Sequence, residues 1–183
     1  IKEYFPSGVV VRTGTRVYPT TAENSAFFRR GLELFNKEAR ILSRLSGQPN
    51  IVEVISFFFE NNTGYFVMEV LEGNSLKDYL AIRGGRISFQ EAVTMLLPMM
   101  EALETVHHEG MLHRDIAPDN IFITTDGVAK LIDFGAARFR REEETKSIRT
   151  IVKPGYAPME QYTSQAAQGP WSDVYAMGAT IYR

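Results

Sequence analysis

Apolar positions near the start of the chain follow the period of an amphipathic helix. Between residues 26 and 45 they recur at spacings of three and four, which places them on one helical face. They are Phe28, Leu32, Phe35, Ala39, Leu42 and Leu45. Before this helix, IKEYF predicts a short strand, and SGVVVRTGTRVYPTTAEN predicts an irregular connection because it is rich in Thr, Gly and Pro.

Two apolar runs after the helix predict an antiparallel hairpin. They are IVEVISFFFE and YFVMEVL, and the polar stretch ENNTG between them supplies the turn. The FFF run is expected to be buried core. A second hairpin is predicted in IFITTDGVAKLI, with its turn at Asp126-Gly127.

The second half of the chain is mainly helical in pattern. A short helix begins over residues 75–80, and a longer one covers residues 89–108. A small sheet with one helix, followed by helices with a short hairpin, predicts an α+β fold of two lobes around a cleft near residues 68–74. We place residues 1–71 in a partial small lobe with its hinge strand and residues 72–183 in a partial large lobe.

Composition narrows the classes of protein. The chain has 183 residues, 44% apolar and 23% charged, which suffices for one globular unit or for part of a larger one. A net charge of -2 offers no basic stripe for phosphates, so no nucleic acid partner is expected. The absence of cysteine excludes a disulfide framework and permits a cytoplasmic location. No run approaches the roughly 20 apolar residues of a membrane span. We interpret both ends as cuts, and no pattern indicates an oligomeric state.

The stretch HRDIAPDN carries the first candidate chemistry. Its Asp115 can orient a hydroxyl, and Asn120, five residues later, can hold a hard cation. Asp133, at the start of DFG, supplies another oxygen for Mg²⁺. Taken singly, such an Asp is usually a capping residue, and a lone DFG occurs by chance. Their order, with a hairpin between them, favours a catalytic interpretation.

These motifs resemble those of the eukaryotic-type (Hanks-type) protein kinase catalytic domain, in a bacterial form. Ile1-Lys2 is similar to the end of the VAIK strand, FNKEARIL to the central helix of the small lobe, and VMEVLEG to the hinge. HRDIAPDN is similar to the catalytic loop, LIDFG to the magnesium loop, PGYAPMEQY to the APE segment, and WSDVYAMG to the helix below the catalytic loop. The resemblance implies a two-lobed protein-kinase-like fold, of which this chain is a part and could be inactive alone.

The resemblance implies transfer of the γ-phosphoryl group of ATP to a serine or threonine hydroxyl of a protein substrate. Asp115 would be the catalytic base, and Asn120 and Asp133 would hold Mg²⁺. Asp173 would bond the backbone near His113, which is a structural task.

The resemblance also implies how ATP is bound. Lys2 would contact the α- and β-phosphates while paired with Glu38. Glu33 on the same helix competes for this pairing, but Glu38 lies in the better frame with the apolar stripe. At the adenine, Met68 would gate the back pocket, the backbone of Glu69 and Leu71 would bond the base, and Phe122 would form part of the floor.

Two departures from the family pattern stand out. Serine/threonine kinases of this kind usually carry a lysine two residues after the catalytic Asp, where this chain has Ala117. They also carry a threonine seven residues before the APE glutamate, where counting back from Glu160 gives Lys153. We therefore hypothesise a swap in which Lys153 reaches toward Asp115 and supplies the missing positive charge. The alternative is that Lys153 points to water.

Arg114, beside the catalytic Asp, suggests regulation by phosphorylation. An arginine can bind a phosphate with two hydrogen bonds, and the charged segment 138–150 offers Thr145, Ser147 and Thr150 as acceptors. Thr150 is the first choice because of its distance from Glu160. The alternative is that the charges only keep this loop solvated.

Three functions remain compatible with the sequence. The first is an active protein kinase, and the second is a pseudokinase that binds nucleotide or acts as a scaffold, which Ala117 favours. The third is a kinase-like small-molecule phosphotransferase, which Arg114 and the APMEQ segment make less favoured. Tyrosine specificity also stays open, because alanine at position 117 occurs in that branch of the family.

Overall fold

The computed structural model describes residues 1–134, 138–139, 152–163 and 166–183, which form two compact units. The first unit comprises Ile1–Gly47 and Glu53–Val70, and the second comprises Gln48–Val52 and Leu71–Arg183. None of the helices in these described parts is long and apolar enough to cross a membrane.

The first unit combines a three-stranded antiparallel sheet, a separate hairpin and one helix. The sheet has the order β1-β5-β4, and the hairpin is β2-β3. The elements are β1 (Lys2–Glu3), β2 (Val10–Thr13), β3 (Arg16–Pro19), α1 (Ala22–Arg44), β4 (Val54–Glu60) and β5 (Thr63–Met68). The predicted β4-β5 hairpin is confirmed, and its turn places Asn61 and Asn62 at positive φ, which Asn tolerates better than most residues.

Helix α1 confirms the helix predicted from the apolar period and begins four residues earlier. The side chain of Thr21 accepts a hydrogen bond from the Asn24 backbone N–H at 3.1 Å, so it caps the first turn. The buried face of the helix consists of Phe28, Phe35, Glu38, Ala39, Ile41 and Leu42. The ring of Phe35 stacks on that of Phe66 in β5 at 4.7 Å between centroids, which joins the helix to the sheet.

The segment predicted to be an irregular connection is instead the β2-β3 hairpin, so that prediction is wrong. Gly14 begins its two-residue loop with a φ of +60°, a conformation that hairpin turns require and glycine adopts without strain. Val10 and Val17 face inward and pack with Phe28 of α1, with Tyr4, Val9 and Leu32 around them. The overlooked signal was the pair of short runs VVRT and RVYP on either side of Gly14-Thr15, each with β-branched valine, which is typical of a hairpin.

The FFF run is also not the buried core that its composition suggested. Phe57 is half-buried, whereas Phe58 and Phe59 are exposed. Strand β4 lies at the edge of its sheet, and the ring of Phe58 covers Tyr65 of β5 at 5.1 Å instead of entering the core. A run of identical residues cannot reveal which face of a strand is covered.

The second unit has helices around a three-stranded antiparallel sheet of order β6-β8-β9. Its elements are β6 (Gly73–Ser75), α2 (Leu76–Ile82), α3 (Phe89–His108), β7 (Met111–Leu112), β8 (Ile121–Thr124), β9 (Ala129–Leu131), β10 (Arg138–Phe139) and α4 (Pro170–Tyr182). The predicted long helix matches α3. Strand β7 pairs with β10.

The predicted β8-β9 hairpin is confirmed and turns at Asp126-Gly127. Gly127 has a φ of +85°, and its N–H donates to the carbonyl of Thr124 at 2.9 Å. A 3₁₀ turn, Pro118–Asn120, leads directly into β8, and the Ile132 N–H donates to the carbonyl of Asn120 at 3.0 Å. The hairpin therefore fixes the loop before β8 to the segment after β9.

Candidate active site

The loop from His113 to Asn120 is anchored by a buried acid of α4. Asp173 is fully buried, and its carboxylate accepts hydrogen bonds from the backbone N–H of His113 at 2.9 Å and of Arg114 at 2.7 Å. His107 Nε2 lies 2.8 Å from the same carboxylate. The backbone bonding predicted for Asp173 is confirmed. Arg114 has a φ of +70°, a strained conformation that persists because the surrounding contacts fix it.

His113 is held as a neutral ring. It is fully buried, and burial lowers its pKa. Its Nε2 lies 3.1 Å from the carbonyl of Ile132, which can only accept, so Nε2 carries the proton. Its Nδ1 accepts from the Asp115 N–H at 3.3 Å. The ring thereby positions the backbone of the candidate catalytic residue.

The side chains of Asp115 and Asn120, which the sequence placed on one loop, contact each other. Asn120 Nδ2 donates to Asp115 Oδ2 and to the Asp115 carbonyl, both at 2.7 Å. The other carboxylate oxygen, Asp115 Oδ1, is buried, and none of the described residues donates a hydrogen bond to it. A buried acceptor without a partner is costly and is therefore characteristic of functional sites.

Lys153 lies beside that oxygen. Its Nζ is 3.8 Å from Asp115 Oδ1 and 3.1 Å from Asp119 Oδ2. The segment KPGY builds a tight turn at this point, because the carbonyl of Lys153 accepts from the Tyr156 N–H at 3.1 Å and Gly155 has a φ of +88°. The hypothesis that Lys153 reaches toward Asp115 agrees with this geometry, whereas its catalytic role stays a prediction.

Asp119 also belongs to this cluster, although the sequence alone did not indicate it. Its Oδ1 lies 3.2 Å from Lys77 Nζ, while its Oδ2 contacts Lys153. The bond from Lys153 is the main cause that lowers the Asp119 pKa, and Lys77 adds to it. The only sequence signal was its position next to Asn120.

Asp133 begins the predicted magnesium loop and follows β9. It is exposed and has a φ of +57°, the second strained non-glycine residue of this unit after Arg114. The next residue, Phe134, is buried, and its ring packs on that of His113 at 4.5 Å. Within the described ranges, no three His, Cys, Asp or Glu residues form a metal cluster. Asn120 and Asp133 still offer oxygen ligands of the kind that Mg²⁺ takes, so the donor set fits this ion.

In the first unit, Lys2 and Glu38 form an ion pair. Lys2 Nζ lies 3.5 Å from Glu38 Oε1, and the Glu38 side chain is nearly buried in the inner face of α1. Glu33, the competing acid, pairs instead with Arg30 at 3.3 Å on the exposed face. The ammonium of Lys2 also lies 5.2 Å from the ring centroid of Phe66. The predicted partner is therefore present, and contact with phosphates stays a prediction.

The residues predicted to bind adenine belong to different units. Met68 and Glu69 lie near the end of the first unit, and the Glu69 N–H donates to the carbonyl of Glu53 at 3.0 Å. Leu71 and Phe122 belong to the second unit, and both are half-buried. Their roles toward ATP stay predictions.

Arg114 contacts two glutamines in the second unit. Its guanidinium donates to the side-chain oxygen of Gln168, and its carbonyl accepts from Gln161 Nε2 at 3.0 Å. Neither contact was expected from the sequence. Thr150, the predicted phosphorylation site, lies outside the described residues.

Glu160 of the APE segment has a partner within the chain. Its Oε1 accepts from the Ser172 hydroxyl at 2.8 Å, and its carbonyl accepts from Gln168 Nε2 at 3.2 Å. These bonds connect the segment to the start of α4.

Comparison with known proteins agrees with the geometry. Residues 21–183 match the family model described as protein kinase domain. The serine/threonine-protein kinase PknK of Mycobacterium tuberculosis is 36% identical over 155 residues, which are 84% of this chain and 14% of that protein. The serine/threonine-protein kinase pkn2 of Myxococcus xanthus is 32% identical over 184 residues, which are 96% of this chain and 22% of that protein.

A solved structure described as PpkA-294 apo form has the same fold. It has a TM-score of 0.79 and 36% sequence identity, and the match covers 98% of this chain and 63% of that one. This chain thus spans less than a quarter of the length of the two kinases compared above. The α+β kinase fold predicted from the sequence is confirmed. The chain belongs to the Hanks-type protein kinase family and covers part of its catalytic domain.

Proposed function

We propose that the protein transfers the γ-phosphoryl group of ATP to a serine or threonine hydroxyl of a protein substrate. The observation that carries this proposal is the state of Asp115. One of its carboxylate oxygens is bonded to Asn120, while the other is buried and receives no hydrogen bond from the described residues. Such an oxygen is suited to accept the proton of an incoming hydroxyl, because nothing within the described part competes for it.

Asn120 and Asp133 are the proposed ligands of Mg²⁺. The Asn120 side-chain nitrogen donates a hydrogen bond to Asp115, so the Asn120 side-chain oxygen is the atom suited to a cation. Asp133 adds a carboxylate oxygen, and its strained backbone fits a functional role. Bound Mg²⁺ supplies positive charge to the phosphate oxygens. In the first unit, the Lys2 ammonium, oriented by Glu38, is proposed to bind the α- and β-phosphates.

Lys153 is proposed to stabilise the transferred group. Its ammonium lies near Asp115 Oδ1, where a phosphoryl group in transfer would sit close to the accepting hydroxyl. This charge replaces that of the lysine which the family usually has at position 117, where this chain has the fully buried Ala117. Lys153→Ala is expected to lower kcat by about 100-fold, by analogy with loss of one transition-state donor. Turnover near the wild-type value would rule out the swap.

Adenine recognition is proposed to use the Glu69 carbonyl, the Leu71 backbone, and the Met68 and Phe122 side chains. Arg114 and Thr150 are proposed as a regulatory pair in which phosphate on Thr150 bonds the guanidinium. The relatives named as serine/threonine kinases support the hydroxyl class and a protein substrate. Use of ATP is the reason to propose a cytoplasmic location.

The test of this proposal compares the full-length protein with its Asp115→Asn variant. Each is incubated with Mg²⁺, γ-labelled ATP and a mixture of serine-, threonine- and tyrosine-containing peptides. Asp126→Asn, in the exposed β8-β9 turn, is the matched control. We expect label on serine or threonine with the wild type and the control, and none with Asp115→Asn.

The competing functions predict other results. Bound ATP without label in any variant would identify a pseudokinase, the function that Ala117 favours. Label on a small molecule alone would identify the third class. Equal label with Asp115→Asn would show that Asp115 is not the base.

A further inference from the structure

We propose that Asp119 is a positioning residue. It holds the Lys153 ammonium near Asp115 and prevents it from forming a direct ion pair with the buried oxygen Asp115 Oδ1. This inference rests on the proposed phosphoryl transfer and adds two residues, Asp119 and Lys77, to its machinery. Asp119 acts through Lys153, and Lys77 acts through Asp119.

The distances from the Lys153 ammonium show that the carboxylates of Asp119 and Asp115 contact it differently. Lys153 Nζ is 3.1 Å from Asp119 Oδ2, within hydrogen-bonding range, but 3.8 Å from Asp115 Oδ1, outside that range. The ammonium is thus bound by Asp119 and only electrostatically attracted by Asp115. This arrangement leaves Asp115 Oδ1 able to accept a hydroxyl proton while a positive charge stands nearby.

Both ends of the Lys153 side chain are fixed. At its base, the KPGY turn holds the backbone through bonds from Tyr156 and Ala157 to the Lys153 carbonyl, at 3.1 and 3.0 Å. At its tip, the bond to Asp119 selects one among the many rotamers of a lysine. Without that bond, the base would stay in place while the ammonium became free to move.

Asp119 is itself held on a rigid support. It lies in the 3₁₀ turn Pro118–Asn120, where the Asn120 N–H donates to the Ala117 carbonyl at 2.9 Å. Its second oxygen contacts Lys77 of α2 at 3.2 Å, so the carboxylate is tethered from two sides. The turn that carries the proposed magnesium ligand therefore also carries the residue that places Lys153.

Charge explains why Asp119 is needed. If Asp119 is neutralised, Asp115 becomes the nearest carboxylate to Lys153, and the ammonium is expected to close onto its Oδ1. An ion pair there would occupy the oxygen that has to receive the hydroxyl proton. Loss of Asp119 is therefore expected to damage the chemical step.

Exposure limits the expected size of each effect. The exposed fractions of the Lys77, Asp119 and Lys153 side chains are 69%, 44% and 26%. Pairs this exposed contribute little to stability, because water screens them and long side chains lose entropy. We expect no measurable change in melting temperature for Asp119→Asn and only about a twofold loss of kcat for Lys77→Met.

The test is a double-mutant cycle in the full-length protein with Mg²⁺, ATP and an unmodified peptide. This peptide is one that the wild type was shown beforehand to phosphorylate. Asp119→Asn is expected to lower kcat about tenfold with KM values for ATP and peptide within about twofold, since a misplacement of about 1 Å can cost up to about 100-fold in rate. Lys153→Met is expected to lower kcat about 100-fold. The double variant should equal Lys153→Met, because Asp119 has no function without the lysine.

Further variants separate positioning from a general structural role. Asp119→Glu should restore kcat to within about threefold, because a longer carboxylate can still bind the ammonium. Asp126→Asn should leave kcat unchanged. Multiplicative losses in the double variant, or equal losses for Asp119→Asn and Asp119→Glu, would overturn the inference.

The cycle also distinguishes this inference from the proposed function. If the wild type is active and Asp115→Asn is not, but the losses at Asp119 and Lys153 multiply, only the positioning role fails. If the wild type transfers no phosphate, the proposed function fails, and the positioning role with it.

Discussion

Replacing Asp173 by Asn should destabilise the second unit and loosen the catalytic loop. Asp173 is fully buried and accepts two backbone hydrogen bonds, from His113 at 2.9 Å and Arg114 at 2.7 Å, besides its contact with His107. Asparagine has one acceptor oxygen in place of two. It can keep one backbone bond, but its NH₂ group must then face the other N–H donor.

The magnitude follows from these contacts. A hydrogen bond to a charged acceptor contributes about 1.5–3 kcal/mol, and a buried donor left unsatisfied costs about 1–3 kcal/mol. Part of the loss can be relieved if the loop shifts, because the positive φ of Arg114 is itself strained. We therefore expect Asp173→Asn to lower the free energy of unfolding by about 2–4 kcal/mol.

Hydrogen exchange and urea unfolding would measure this effect. At about 1.4 kcal/mol per factor of ten, the amides of His113 and Arg114 should exchange roughly 30-fold to 700-fold faster in the variant. The exposed Asp126→Asn serves as control and should change neither measurement. Unfolding within about 0.5 kcal/mol of the wild type, with unchanged exchange at both amides, would refute the anchoring role.

Three further predictions concern stability. The pKa of His113 is lowered by burial, so the unfolded state binds more protons than the folded state below about pH 6.5. The free energy of unfolding should therefore fall as the pH drops from about 6.5 toward about 5.5. His113→Gln should flatten that slope in urea titrations. Gly155→Ala should cost about 1–2 kcal/mol because φ is +88°, whereas Gly178→Ala, on the exposed face of α4, should gain up to about 1 kcal/mol; equal melting temperatures would contradict both. Val17→Ala should cost about 1.5–3 kcal/mol from its fully buried site, and the half-exposed Val11→Ala should cost under about 0.5 kcal/mol by thermal unfolding.

Much of the candidate site followed from motif order because its residues lie close together in sequence. Asp115 and Asn120 are five positions apart on one loop, so their contact at 2.7 Å is local. The pairing of Lys2 with Glu38 spans 36 positions, but the apolar period of α1 already determined which acid lies on the inner face. The local spacing therefore placed Asp115 and Asn120 on one loop, and the helical period selected Glu38 as the partner that the family resemblance implied for Lys2.

Two errors in the first unit have a common cause. The β2-β3 hairpin was hidden by Thr, Gly and Pro, although each strand has one buried valine, Val10 and Val17. The Phe57–Phe59 run looked like core, although Phe58 and Phe59 are exposed on an edge strand. Composition measures how apolar a segment is, but burial depends on which neighbours cover each face.

The sequence by itself determined the family, the main helices and the residues of the catalytic loop. Periodicity and the spacing of motifs are properties of a single segment, and they survive without any knowledge of distant contacts. The sequence suggested that Lys153 reaches toward Asp115, but only the tertiary structure decided that Lys153 contacts Asp119 and that Lys77 contacts Asp119 from α2. These side chains belong to segments far apart in the chain, and long, flexible lysines meet a carboxylate only where folding brings their backbones together.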